Sequence, residues 1–186
     1  MTALDATSQV WTFTSWGRPF HLDSALVDKS SPDTTPVQVE SGWSFSSILT
    51  ESGDVLVYWP GSGSFQEVID EKMEELDSSN DERFKAATQA RPTEAEPNVV
   101  PCHSWALHGA DPVRLPPIPA SSLPVLGYAG ISQDILDQET MLVKIAALDN
   151  NIIGLTNKGH VLRYGQLYDE EEYLTGRWEY VSCITL

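Results

Sequence analysis

Positive charge is scarce in this sequence: 11 Lys and Arg stand against 27 Asp and Glu, a formal net charge of −16 over 186 residues. A surface of that sign repels phosphate backbones and anionic bilayers, so neither nucleic acid nor a membrane is expected as a direct partner. Cysteine is nearly absent. Cys102 and Cys183 are too few for a disulfide framework, and no basic, apolar leader precedes Gln9, which together suggest an intracellular, reducing setting, cytoplasmic or nuclear. No apolar run approaches the ~20 residues that span a bilayer, and a soluble protein is expected. Phosphate loops, dinucleotide fingerprints and nucleophile elbows are also missing. His21 and His160 have serine neighbours only because serine is abundant, so neither catalysis nor a cofactor is expected. Cys102, His103, His108 and Asp111 could each ligate a metal, but their spacing matches no paired-ligand motif and the segment reads as loop.

What is present is a duplication. Leu49-Thr50-Glu51-Ser52-Gly53-Asp54-Val55-Leu56-Val57-Tyr58 returns as Leu155-Thr156-Asn157-Lys158-Gly159-His160-Val161-Leu162-Arg163-Tyr164, 106 positions on. Leu49, Thr50, Gly53, Val55, Leu56 and Tyr58 recur in register as Leu155, Thr156, Gly159, Val161, Leu162 and Tyr164. These residue types build a β-hairpin: apolar strand residues flank a turn whose glycine supplies positive φ. A spacing of two steps of roughly 50 residues is that of propeller blades, with a middle unit given over to something else. The six Trp, six Tyr and five Phe are enough for the core of one domain.

Along the chain, Gln9–Trp16 reads as a strand with no partner before it, ended by Gly17 and Pro19. Residues 22–36 are loop by composition, Val37–Val39 a short strand, Gly42–Thr50 and Asp54–Trp59 the first hairpin. Residues 61–98 are different in kind, with ten acidic against four basic side chains. There Phe65, Val68, Ile69, Met73 and Leu76 fall at helical spacing, and Ser64 with Glu67 offers a capping box, so a helix is expected over 65–77. A second short helix is expected over 81–89 and a linker over 90–98. Order should resume near Val99, with Pro112–Pro119 extended, strands at Met141–Ala147, Ile152–Thr156 and Val161–Tyr164, an acidic loop at Asp169–Glu172, and a last strand over Trp178–Leu186. The division is 9–60 and 99–186 as propeller segments around a 61–98 insertion, whose helix covers the propeller's side or serves as a docking element.

Gly42-Trp43-Ser44-Phe45-Ser46 with the first hairpin, and Ile153-Gly154 with the second, resemble repeats of the regulator of chromosome condensation type. With Val10–Gly17, Pro112–Pro117 and Gly176–Tyr180 they are most similar to fungal F-box proteins called SCF-associated factor. The resemblance implies an all-β, partial propeller of the regulator of chromosome condensation and β-lactamase-inhibitor protein II type. It also implies recognition of a protein substrate on behalf of an SCF-type ubiquitin-ligase scaffold, with no chemistry of the propeller's own. No F-box helices precede Gln9, only about two and a half blades are visible, and Pro60 stands where the repeats carry the glycine that Gly165 keeps. The founding activity of the wider repeat class, nucleotide exchange on a small GTPase, is the alternative, as is a generic scaffold. The twelve repeated residues are assigned to packing, and loops 22–36, 120–140 and 166–176 are the expected contact surfaces.

Overall fold

The computed structural model describes residues 1–15, 18–87, 94–95, 97, 103–126 and 136–181. Among these, β-strands gather into three sheets. The first orders β1 (Thr2–Leu4), β2 (Val10–Ser15), β3 (Arg18–Asp23) and β7 (Trp105–His108). The second orders β4 (Pro36–Ser41), β5 (Ser46–Thr50), β6 (Val55–Tyr58) and β8 (Val113–Arg114). The third orders β10 (Leu142–Leu148), β11 (Asn151–Thr156), β12 (Val161–Tyr164), β13 (Trp178–Val181) and β9 (Val125–Leu126). Helix α1 (Gly63–Ser78), the shorter α2 (Glu82–Ala87) and a 3-10 turn at Tyr173–Thr175 complete the elements of the described residues. The sheets stack as successive blades of an all-β, partial propeller.

The sequence duplication is a duplication of geometry. Pro36 pairs with Thr50 and, after a bulge, Gln38 with Leu49; 106 positions later Leu142 pairs with Thr156 and, after the same bulge, Lys144 with Leu155. Ile48–Leu56 and Leu49–Val55 are matched by Gly154–Leu162 and Leu155–Val161. The turns close identically: Asp54 and His160 each donate their backbone N–H to the hydroxyl of Thr50 or Thr156, at 3.1 and 3.0 Å. Gly53 and Gly159 adopt φ of 87° and 84°, the left-handed region that costs a side chain-bearing residue strain.

These two hairpins lie in neighbouring blades. The acidic insertion does not stand in place of a middle blade, as expected: it is extra length, the α1–α2 segment, after which the chain returns to complete blades already begun. β7 adds parallel to β3 in the first blade, and β8 then adds antiparallel to β6 in the second. Nor is Gln9–Trp16 a strand without a predecessor: β1 pairs with β2 through Thr2–Thr12, Ala3–Trp11 and Leu4–Val10. Among the described residues three sheets stand as blades where about two and a half were expected.

Every residue of β5 and β6 is buried, because the second blade is covered on both faces. Side chains along a strand alternate between faces. Ile48, Leu56 and Tyr58 join Val10, Phe20, Leu22, Trp105 and Leu107 in one core, while Phe45, Leu49, Val55, Val57 and Trp59 join Leu142, Ile152, Leu162, Tyr164 and Trp178 in another. The third blade puts Leu162 and Tyr164 into that second core, and its opposite face differs. At the positions equivalent to Phe45 and Val57 stand Asn151 and Arg163, and the Arg163 guanidinium donates to Asn151 Oδ1 at 2.8 Å and to Glu179 at 2.7 Å. Leu155, the counterpart of buried Leu49, is 38% exposed.

Helix α1 belongs to the first core. Phe65, Ile69 and Leu76 are buried there, and the Phe65 ring stacks on Tyr58 with centroids 4.5 Å apart. Burial of side chains this size is worth roughly 1.5–3 kcal/mol each, enough to hold an otherwise acidic helix against the blades. The expected capping box does not form. The first turn is tied instead to the third blade, with Ser64 donating its backbone N–H and its hydroxyl to the Glu170 carboxylate at 3.0 and 2.8 Å. A carboxylate there also complements the positive end of the helix dipole. Of the Pro112–Pro119 segment, Val113–Arg114 alone is strand. Residues 88–93, Cys102, 127–135 and 182–186 lie outside the described residues, which leaves there parts of the expected second helix, linker and final strand.

Candidate functional site: a cleft where three blades meet α1

The β5–β6 turn at Gly53 and the β11–β12 turn at Gly159 mark one end of the second and third blades. At the opposite end lie the β4–β5 connection (residues 42–45), the β10–β11 turn (149–150) and the segments that leave β6 and β12. Tight cross-links fix that end. Trp43 donates its backbone N–H to the Asp149 carbonyl at 2.8 Å. Ser44 Oγ lies 3.1 and 3.0 Å from the carbonyl oxygens of Leu167 and Tyr168, and the Trp59 indole donates to the same Leu167 carbonyl at 3.2 Å. At the 106-residue offset the position of Gly165 is taken by Trp59 and not, as expected, by Pro60, and Trp59 bridges two blades.

These ties frame a cleft of about 800 Å³. Met1 and Phe13 reach it from the first blade, Trp43 and Phe45 from the second, Tyr168 and Asp169 from the third, and Ile69, Asp70 and Met73 from α1. Three of the chain's exposed large apolar side chains line this one concavity: Trp43 at 86%, Met1 at 67% and Tyr168 at 52%. An exposed Trp is unusual where the neighbouring aromatic, Phe45, is 2% exposed. The backbone bond to Asp149 holds Trp43 on the rim instead of in the core.

The cleft's charged side chains are Asp70 and Asp169, with no Lys or Arg among its lining residues. Asp70 Oδ1 accepts from the Gln66 amide at 2.6 Å, and Asp169 Oδ1 accepts the backbone N–H groups of Glu171 and Glu172 at 2.9 and 2.8 Å. Beneath the cleft, burial pushes the Tyr58 phenol above its ordinary pKa, opposed by hydrogen bonds chiefly from Thr2 and Ser46. Tyr58 Oη and Thr2 Oγ1 are 2.9 Å apart, a contact between the first and second blades. At the edge of the first blade the Asp5 carboxyl is held well below the usual range. The Trp11 indole donates to it at 2.9 Å, with the Gln9 and Thr7 backbone N–H groups and the Thr7 hydroxyl completing its shell.

The twelve repeated residues occupy the two hairpins. Leu49, Thr50, Val55, Leu56, Tyr58, Thr156, Leu162 and Tyr164 are buried, Val161 is half-buried and Leu155 exposed; Gly53 and Gly159 form the turns. None of them lines the cleft. Of the three loops expected to make contacts, 166–176 reaches it through Tyr168 and Asp169. Loop 22–36 lies at the other end, where Pro32 and Thr35 accept backbone bonds from Ser52 and Glu51. The described part of 120–140 is there too, with Asp137 paired to Lys158. His108 Nδ1 stands 2.9 Å from Asp23 Oδ2 on adjoining strands, and His103 lies beside Trp105. Among the described residues no three His, Cys, Asp or Glu side chains converge as a metal site. The cleft was faintly signalled in the sequence by Trp43 between Gly42 and Ser44, an aromatic in a turn-forming context, and by the stripe of α1 that supplies Ile69 and Met73.

No protein-family model matches the chain, and comparison with curated proteins finds no match. Among solved structures it is similar to human WBSCR16, at 16% identity and a TM-score of 0.46, covering 98% of this chain and 37% of that one. It is also similar to Prp20p of Saccharomyces cerevisiae, a structure described with its binding to Gsp1p and histones, at 14% identity and a TM-score of 0.37, covering 97% and 37%. The chain spans little more than a third of the length of either.

Proposed function

We propose that this chain is a protein-recognition segment of a propeller and that it grips its partner at the cleft between the three blades and α1. The observation that carries this reading is the gathering of Trp43, Met1 and Tyr168, all exposed, on a concavity whose walls are cross-tied by backbone hydrogen bonds. Rigid scaffolds with exposed aromatic anchors are how recognition surfaces concentrate binding energy, and no covalent chemistry is assigned to the site. The hairpins' resemblance to SCF-associated factor supports a finer role as part of the substrate receptor of a ubiquitin ligase. The repeat class as a whole supports the alternative, an exchange-factor-like surface for a small GTPase. Affinity capture with wild type and Trp43→Ala tests the shared core of both: a bound protein lost in the variant supports the cleft, and unchanged capture refutes it. Acceleration of nucleotide release from the captured GTPase would decide for the alternative.

A further inference from the structure

The charge of the cleft is one-sided, and that narrows what can occupy it. Asp70 projects from α1 and Asp169 from the loop after β12, two carboxylates delivered by separate elements, while the other lining side chains are neutral: aromatic, aliphatic, thioether, hydroxyl and the Gln66 amide. Among the described residues no Lys or Arg side chain of the lining neutralises them, and the acidic partner they would repel is disfavoured by a chain of net charge −16 as well. Trp43 at 86% exposure and Tyr168 at 52% offer aromatic faces to the same space. Carboxylates beside open aromatic rings are a combination that a guanidinium satisfies twice, by planar hydrogen bonding to the acid and by stacking on the ring. About 800 Å³ accommodates several side chains of an extended segment.

We propose that the occupant is a basic, arginine-bearing segment of a partner protein, an assignment that rests on the cleft being the recognition surface. The basic segment is drawn toward the chain by its overall charge and is held by Asp70 and Asp169 with an arginine against Trp43. Strong basic attraction to any acidic protein must be separated from this site, and substitutions matched in charge do so.

The probe is a short fluorescent peptide alternating Arg with Ser, read by anisotropy at physiological ionic strength. Asp70→Asn with Asp169→Asn removes two charges from the cleft; Glu51→Gln with Glu139→Gln removes two exposed charges outside it; Trp43→Ala changes none. The cleft pair and Trp43→Ala are each expected to weaken binding by at least about tenfold, and the distant pair by no more than about twofold. Far-UV circular dichroism and urea melts verify that each variant folds. Equal weakening by the distant pair, or wild-type affinity in both cleft variants, overturns the proposal. Partner capture that depends on Trp43 with no binding of the Arg peptide at the cleft would keep the recognition surface and overturn the basic occupant. Capture and peptide binding that both survive Trp43→Ala would overturn both.

Discussion

Leu49 and Leu155 occupy the same place in the same motif, with the same cross-strand partner and the same preceding bulge, yet their truncation to alanine should have different consequences. Leu49 is 1% exposed in the core between the second and third blades, whereas Leu155 is 38% exposed on the third blade's other face. Removing the buried leucine's outer carbons forfeits about 2 kcal/mol of transfer free energy at ~0.8 kcal/mol per methylene. The unfilled space adds a cavity contribution, for a total of about 3 kcal/mol. At Leu155 part of the side chain is already hydrated and water can follow the retreating atoms, so about 1 kcal/mol or less is expected. Urea unfolding followed by tryptophan fluorescence measures both. For a chain of this size the difference corresponds to a melting-temperature drop of about 6–12 °C for Leu49→Ala against about 2–4 °C for Leu155→Ala. Equal losses would refute the assignment of these faces, since they would mean that Leu155 is packed as deeply as its counterpart.

The turn glycines provide a second pair of unequal equivalents. Both have positive φ, so alanine costs about 1–2 kcal/mol of strain at each, but a Cβ at Gly53 would also meet Leu142 O at 2.8 Å and Met141 Cβ at 2.9 Å while one at Gly159 meets nothing within 4 Å. Gly53→Ala should therefore destabilise the protein more than Gly159→Ala in the same urea assay. The Tyr58 phenol predicts a pH effect. Its folded pKa is raised above the ordinary value of 10.0, so its contribution is fully present below pH 10 and is lost as the pH rises past it. Melts across that range should show the loss in wild type and a shallower one in Tyr58→Phe.

The hairpins were legible because their information is local: an alternating apolar pattern and a glycine at the one turn position that needs positive φ. Helix α1 was legible for the same reason, since Phe65, Ile69 and Leu76 repeat at helical spacing and are the residues it buries. Its start was not, because Ser64 is bonded to Glu170, 106 residues away, and not to Glu67. Strand β3 was hidden by Pro19, which reads as a breaker but is buried opposite Phe13 beside a register shift. Strands β7, β8 and β9 are two to four residues long and pair with strands far off in sequence, so no local period announces them. The cleft escaped for a related reason: Met1, Trp43, Asp70 and Tyr168 come from separate elements and become neighbours through the stacking of blades. The spacing of 106 misled because an inserted helical segment adds length as a missing blade would.

The claim that the cleft is where this protein meets its partner is tested most directly by site-specific photo-cross-linking. A photoreactive aromatic amino acid replaces Trp43 in one sample and Val143, an exposed residue of β10 outside the cleft, in another. The account predicts a cross-linked protein adduct from position 43 that the Arg-containing peptide competes away, and none from position 143. An adduct from position 143 with none from position 43 would contradict it.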